Sequence, residues 1–118
     1  TMNATGRATT VGAVIDASRE VAGSTATPRP VPAETLADAG IEAWMGTPSL
    51  PLWLDDADWR GFATLSSTRA DSYGLVTRPL AETLARALDY EEQRAEPRHT
   101  GLTDDEERSL RALLDASA

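Results

Sequence analysis

The chain is short of the residues that build a core. Leu, Ile, Val and Phe together number 21 of 118, under the rough one-fifth below which a charged chain tends towards disorder. The apolar content of 41% is carried largely by twenty alanines, each of which removes little area from water. Helix start and stop signals are nevertheless well formed along its length. A thin core together with good local grammar implies a folded piece whose apolar surface is completed by another body. At 118 residues it is one domain's worth, and we read 1–118 as a single domain belonging to a larger fold.

Those local signals give the organisation. Residues 1–8 suit one short strand entering a turn. Thr9 or Thr10 then caps a helix whose apolar positions, Val11, Val14, Ile15, Val21 and Ala22, share a face, with Gly23 ending it. Pro28, Pro30 and Pro32 predict an extended edge or polyproline segment. Ala33 to Ala39 is a short helix, with Gly40 as its C-terminal stop and Ile41 folding back on it. Glu42 to Leu65 is irregular and holds all three tryptophans. Ser67 and Thr68 open a helical turn that stops at Gly74 and Leu75. Pro79 sits just inside the next helix, whose buried stripe is Leu80, Leu84, Ala87 and Leu88. The run 91–101 is a charged, solvated connector. Thr103 and Glu106 then frame a capping box on a last helix presenting Leu110, Leu113 and Leu114. The expected class is α+β, mostly helical, close to half helix with at most two or three strands.

Charge and missing residue types exclude much chemistry. Nineteen acids against eleven bases, a formal charge of -8, argue against nucleic acid as partner. All eleven bases are Arg and there is no Cys. Disulfides, thiolate catalysis, Cys-based zinc sites, Schiff bases, a P-loop lysine and a Tyr-x-x-x-Lys pair are therefore impossible within these residues. A stand-alone hydrolase lacks its parts, with no G-x-S-x-G and no partnered histidine. No apolar run is long enough for a membrane span or secretory signal, so a soluble, cytoplasmic protein is expected.

Several patches carry a resemblance. Gly40-Ile-Glu-Ala-Trp44, Leu50-Pro-Leu-Trp53, Ser67-Thr-Arg69-Ala70, Gly74-Leu75, Arg78-Pro79-Leu80 with Thr83-Leu84, and Gly101-Leu102-Thr103 leading to Glu107 occur in that order. Together they resemble the C-terminal third of actinobacterial NAD(P)-dependent epimerase/reductase-like proteins, of the extended short-chain dehydrogenase/reductase group. Met2-Asn3-Ala4-Thr5-Gly6 resembles the strand opening their substrate-binding part. The resemblance covers nearly the whole chain and implies a two-part enzyme. A Rossmann domain, absent from these residues, would bind NAD(P) and hold the catalytic Tyr-x-x-x-Lys. This C-terminal region would normally pack on it and close over a small-molecule substrate. The chain alone would bind no cofactor and carry no catalytic residue. Tyr90-Glu-Glu-Gln-Arg94 has the tyrosine spacing but Arg in place of Lys.

The candidate substrate-binding residues are Trp44, Trp53, Arg69 and Arg78. Trp44 to Trp53, with Met45, Gly46 and two prolines, can form a stiff apolar wall with indole donors at its rim. The resemblance places it over the cleft; the alternative is that both tryptophans fill gaps between helices. Arg69 and Arg78 suit a bidentate grip on a diphosphate, a role the resemblance gives to arginines of this region. Pairing with Asp71 or Glu82 is the structural alternative. Asp55, Asp56 and Asp58 read as loop-turn acids rather than a calcium loop, Trp59 as an exposed flank, and His99 as an exposed histidine. A different class of function competes with the enzyme part: an independent acidic helical interaction module. It would present a Trp-lined groove to a protein partner, or pair Leu110, Leu113 and Leu114 in a homo-oligomer.

Overall fold

The helix signals act within a few residues of where they are written. In the computed structural model, which describes residues 1–116, Thr10 caps α1 (Val11–Val21) by accepting the Ala13 N–H at 3.1 Å. Helix α2 (Ala33–Asp38) ends in a Schellman motif: the Gly40 N–H reaches the Ala37 carbonyl and the Ile41 N–H the Leu36 carbonyl, both at 2.9 Å. Gly40 has φ +70°, where a β-carbon would be strained. The same closure ends α1 at Gly23 and α3 (Thr68–Ser72) at Gly74. Helix α4 (Leu80–Gln93) follows Pro79, which is the cap rather than the first helical residue. Helix α5 (Asp104–Ala116) starts at the capping box: the Thr103 N–H donates to Glu106 Oε2 at 2.7 Å, and the Glu106 N–H donates to Thr103 Oγ1 at 3.3 Å. Two-residue strands β1 (Glu42–Ala43) and β2 (Ser49–Leu50) pair in parallel, Glu42 beside Ser49, and a 3-10 turn covers Ala57–Trp59. The protein is a mostly helical α+β fold.

The chain divides into two compact units, each discontinuous in sequence. The first comprises 1–28 and 59–95. In it α1 lies against α4; Val14, Ala17, Ser18 and Val21 on α1 and Leu84, Ala85 and Leu88 on α4 are half-buried. Ser18 is tolerated there because its hydroxyl donates to the Val14 carbonyl at 2.7 Å. Only one flank of the α1 stripe is covered: Val11 and Ile15 stay 50% and 38% exposed. Residues 1–8 form no strand. Instead Asn3 and Thr5 donate side-chain hydrogen bonds to the Ser66 and Leu65 carbonyls.

The second unit comprises 29–58 and 96–118. Its core is Leu36, Ile41 and Leu110, with Val31, Leu50, Trp53, Leu102 and Leu114 packed around them. Arg29 pairs with Asp115 at 2.5 Å, tying the proline-rich segment to the end of α5. The charged run 91–101 straddles the division: 91–93 complete α4 and the rest is irregular.

Burial is sparse in both units. Among the described residues the buried apolar ones are Leu36, Ile41, Ala70 and Leu110, whereas fifteen large apolar side chains are exposed. Accessible surface is 9396 Å². A compact protein of this mass exposes about 6,200 Å², and two separate bodies of half the mass about 7,500 Å². The excess therefore holds however the two units are disposed. The one side chain buried almost completely is polar: Ser49, 1% exposed, whose Oγ has no hydrogen-bond partner among the described residues. An unsatisfied buried hydroxyl costs more than the methyl that replaces it. Ser49→Ala is expected to stabilise the protein by about 1 kcal/mol, seen as a higher urea midpoint. A lower midpoint would mean that the hydroxyl is satisfied.

Candidate functional site

The two tryptophans of the proposed wall differ in environment. Parallel pairing of β1 with β2 makes the intervening 44–48 a tight loop, and Trp44 takes φ +68° at its start. Trp44 is 40% and Met45 67% exposed. A β-carbon on Gly46, at φ +109°, would run into the Glu42 carboxylate, so the loop closes directly over the first strand. Trp53 instead packs against the Leu36–Ile41–Leu110 cluster. The segment thus has one indole at the surface and one supporting the core.

The arginines lie in the other unit. Arg69 stands in the five-residue α3 and Arg78 just before the α4 cap, and both are exposed. Neither makes the expected structural pair: Asp71 accepts from the Ser67 hydroxyl at 3.1 Å, and Glu82 pairs with Arg86 at 3.0 Å. Arg78 opens onto a groove of about 480 Å³ shared with Arg7, Thr9, Thr77 and Thr83. Arg69 is not part of that lining. The four candidate residues are thus two pairs, one in each unit.

The remaining candidates are occupied locally. Arg94 pairs with Glu91 at 3.1 Å and lies 5.5 Å from the Tyr90 ring centroid. The Tyr90/Arg94 spacing is therefore a self-contained surface contact. Asp56 accepts the Asp58 N–H at 2.8 Å, an ordinary Asx turn. Trp59 is 53% exposed and meets Phe62 edge-on at 5.6 Å. His99 lines an open groove of about 420 Å³ with Arg98 and Asp104 before α5. Among the described residues no group of three or more His, Asp or Glu side chains is placed to hold a metal ion, and no helix is long and apolar enough to cross a membrane. On α5, Leu110 and Leu114 are used in the unit's own core, leaving Leu113 45% exposed.

Sequence reasoning missed Arg7. Its signal was an arginine in the loop leading to the α1 cap, but the residues it joins, 77–83, are seventy positions away. No protein-family model, curated protein or solved structure matches the chain.

Proposed function

We propose that this chain is the substrate-binding, lid portion of an NAD(P)-dependent oxidoreductase or epimerase in the cytoplasm. It would work against a Rossmann domain that holds the cofactor and the Tyr-x-x-x-Lys pair. The observation that supports this reading is the deficit of burial. With four buried apolar residues and fifteen exposed large ones among the described residues, the chain has apolar surface suited to a second folded body. The order of the family-like patches names that body. In this reading Trp44 offers an apolar contact to the substrate, Arg69 and Arg78 offer cationic ones, and Trp53 supports the core of its unit. The chain supplies no catalytic group and binds no NAD(P) by itself.

The test is the intact mass of the native polypeptide, followed by NAD(P)H titration. A product about three times this length, with a Gly-rich turn and Tyr-x-x-x-Lys upstream, is expected, and it should bind NAD(P)H where the 118 residues alone do not. Tight binding of NAD(P)H by the 118 residues would overturn the reading. So would a native product of 12.6 kDa.

The latter result would favour the acidic interaction module. One observation speaks for that alternative: a groove of about 350 Å³ in the second unit, floored by Ile41, Pro48, Leu110 and Leu113 and edged by Asp105 and Glu106.

A further inference from the structure

The two units differ in charge. In the first, seven Arg stand against seven Asp and Glu; the second has four Arg against twelve acids and carries the whole -8. Three of those four arginines are already in ion pairs, Arg29 with Asp115, Arg108 with Asp105 and Arg111 with Glu107. The other nine acids of the unit make no ion pair among the described residues.

The groove of about 350 Å³ in this unit is floored by Ile41, Pro48, Leu110 and Leu113, and no arginine borders it. Ile41 and Leu110 belong to the core cluster, so an apolar group seated here extends a core of three buried side chains. Asp105 and Glu106 stand on the rim. Glu106 accepts from the Thr103 N–H and hydroxyl, bonds that leave the carboxylate its charge. Asp105 pairs with Arg108, but both side chains are largely exposed, and such a pair holds weakly against a competing cation. The positive end of the α5 dipole falls in the same place and is answered by four acids in the first turn, Asp104 to Glu107. The other elements beside the floor, α2, β1 and β2, carry Glu34, Asp38 and Glu42 and no base.

From this we infer that the groove docks a basic peptide segment of a partner protein, through one or two aliphatic side chains set among lysines or arginines. The volume lies at the lower end for ligand pockets, which suits anchors of that size. Anchors at helical spacing enter the floor while the flanking cations lie over Asp105 and Glu106. A second copy docked through the same groove would set two acidic surfaces face to face. The inference gives a partner class to the groove of the interaction-module alternative. It stands whether or not a Rossmann domain precedes these residues, because the groove is built from the second unit alone.

The test is an amide chemical-shift titration of the native polypeptide with a peptide of Leu and Lys, its leucines at helical spacing. Saturable binding is expected, with shifts at 39–41 and 105–113. Leu113→Asp adds a negative charge to the floor, so attraction by charge alone would strengthen, whereas docking should weaken about tenfold or more. Leu113 is 45% exposed, so this variant keeps the fold. Glu106→Gln retains the capping box and should weaken binding severalfold. Equal binding of a Gly–Lys peptide, or of a Leu–Glu peptide, overturns the inference, as does binding unchanged by Leu113→Asp. Concentration-dependent shifts of the same amides without peptide would make the occupant a second copy. A longer native product that leaves the peptide unbound, while the 118 residues bind it, would make the occupant the upstream body; that overturns the inference and leaves the oxidoreductase reading, decided by intact mass, untouched.

Discussion

Leu110→Ala is expected to abolish the folded state of the second unit. Leu110 is 8% exposed and shares its cluster with only two other buried side chains, Leu36 and Ile41. Removing a buried leucine costs about 2–5 kcal/mol, the transfer term plus the cavity left behind. A core of this size supplies no more than about 3–5 kcal/mol of net stability, so the substitution removes most or all of it. Hydrogen exchange is the direct readout. Amides of α2, of Glu42–Leu50 and of α5 should lose protection, whereas those of α1 and α4, in the other unit, should keep theirs. Leu113→Ala, on the same helix but 45% exposed, should cost under about 1 kcal/mol. If Leu110→Ala left α5 as protected as before, the three-residue cluster would not be what holds this unit.

The parts of the fold that were legible in the sequence are those decided within four or five residues. Thr10, the Gly40–Ile41 stop and the Thr103–Glu106 box are geometric consequences of which donor or acceptor lies one helical turn away, and each stands where it was expected. The helix faces were legible only in part. The α1 stripe names Val11, Val14 and Ile15 as equivalent, but α4 covers the flank of Val14 and leaves the others open. Which flank is covered depends on a helix sixty residues later. The β1–β2 pair was illegible because two-residue strands are too short to show a period of two. The opening 1–8 suits a short strand entering a turn when taken alone, yet it forms none. Its anchoring instead comes from Asn3 and Thr5 donating to carbonyls some sixty positions away.

The candidate site followed the same divide. Trp44 and Trp53 are nine positions apart and look like one wall, yet the chain between them loops back to lay β2 parallel to β1, and their surroundings separate. Arg78 was visible beside Pro79; its companion Arg7 was not, because only tertiary structure brings 7 and 78 to one groove. What the composition did convey was the energetic balance. Few large aliphatics meant few buried residues, and the surface of 9396 Å² is the structural form of that shortage.

The sharpest separation of packing from recognition comes from the two tryptophans. Trp53→Ala is expected to cost about 3 kcal/mol, because its indole lies against Leu36, Ile41 and Leu110 and its removal leaves a cavity beside them. Trp44→Ala should cost about 1 kcal/mol or less, since a side chain 40% exposed gives up less area on truncation. Urea unfolding of both variants against the parent measures the difference directly. A larger loss for Trp53 leaves Trp44 as a surface indole that carries little of the fold's stability, which is what a substrate contact requires. Equal losses would make Trp44 a core residue, and the Trp44 loop would then have no claim to the substrate.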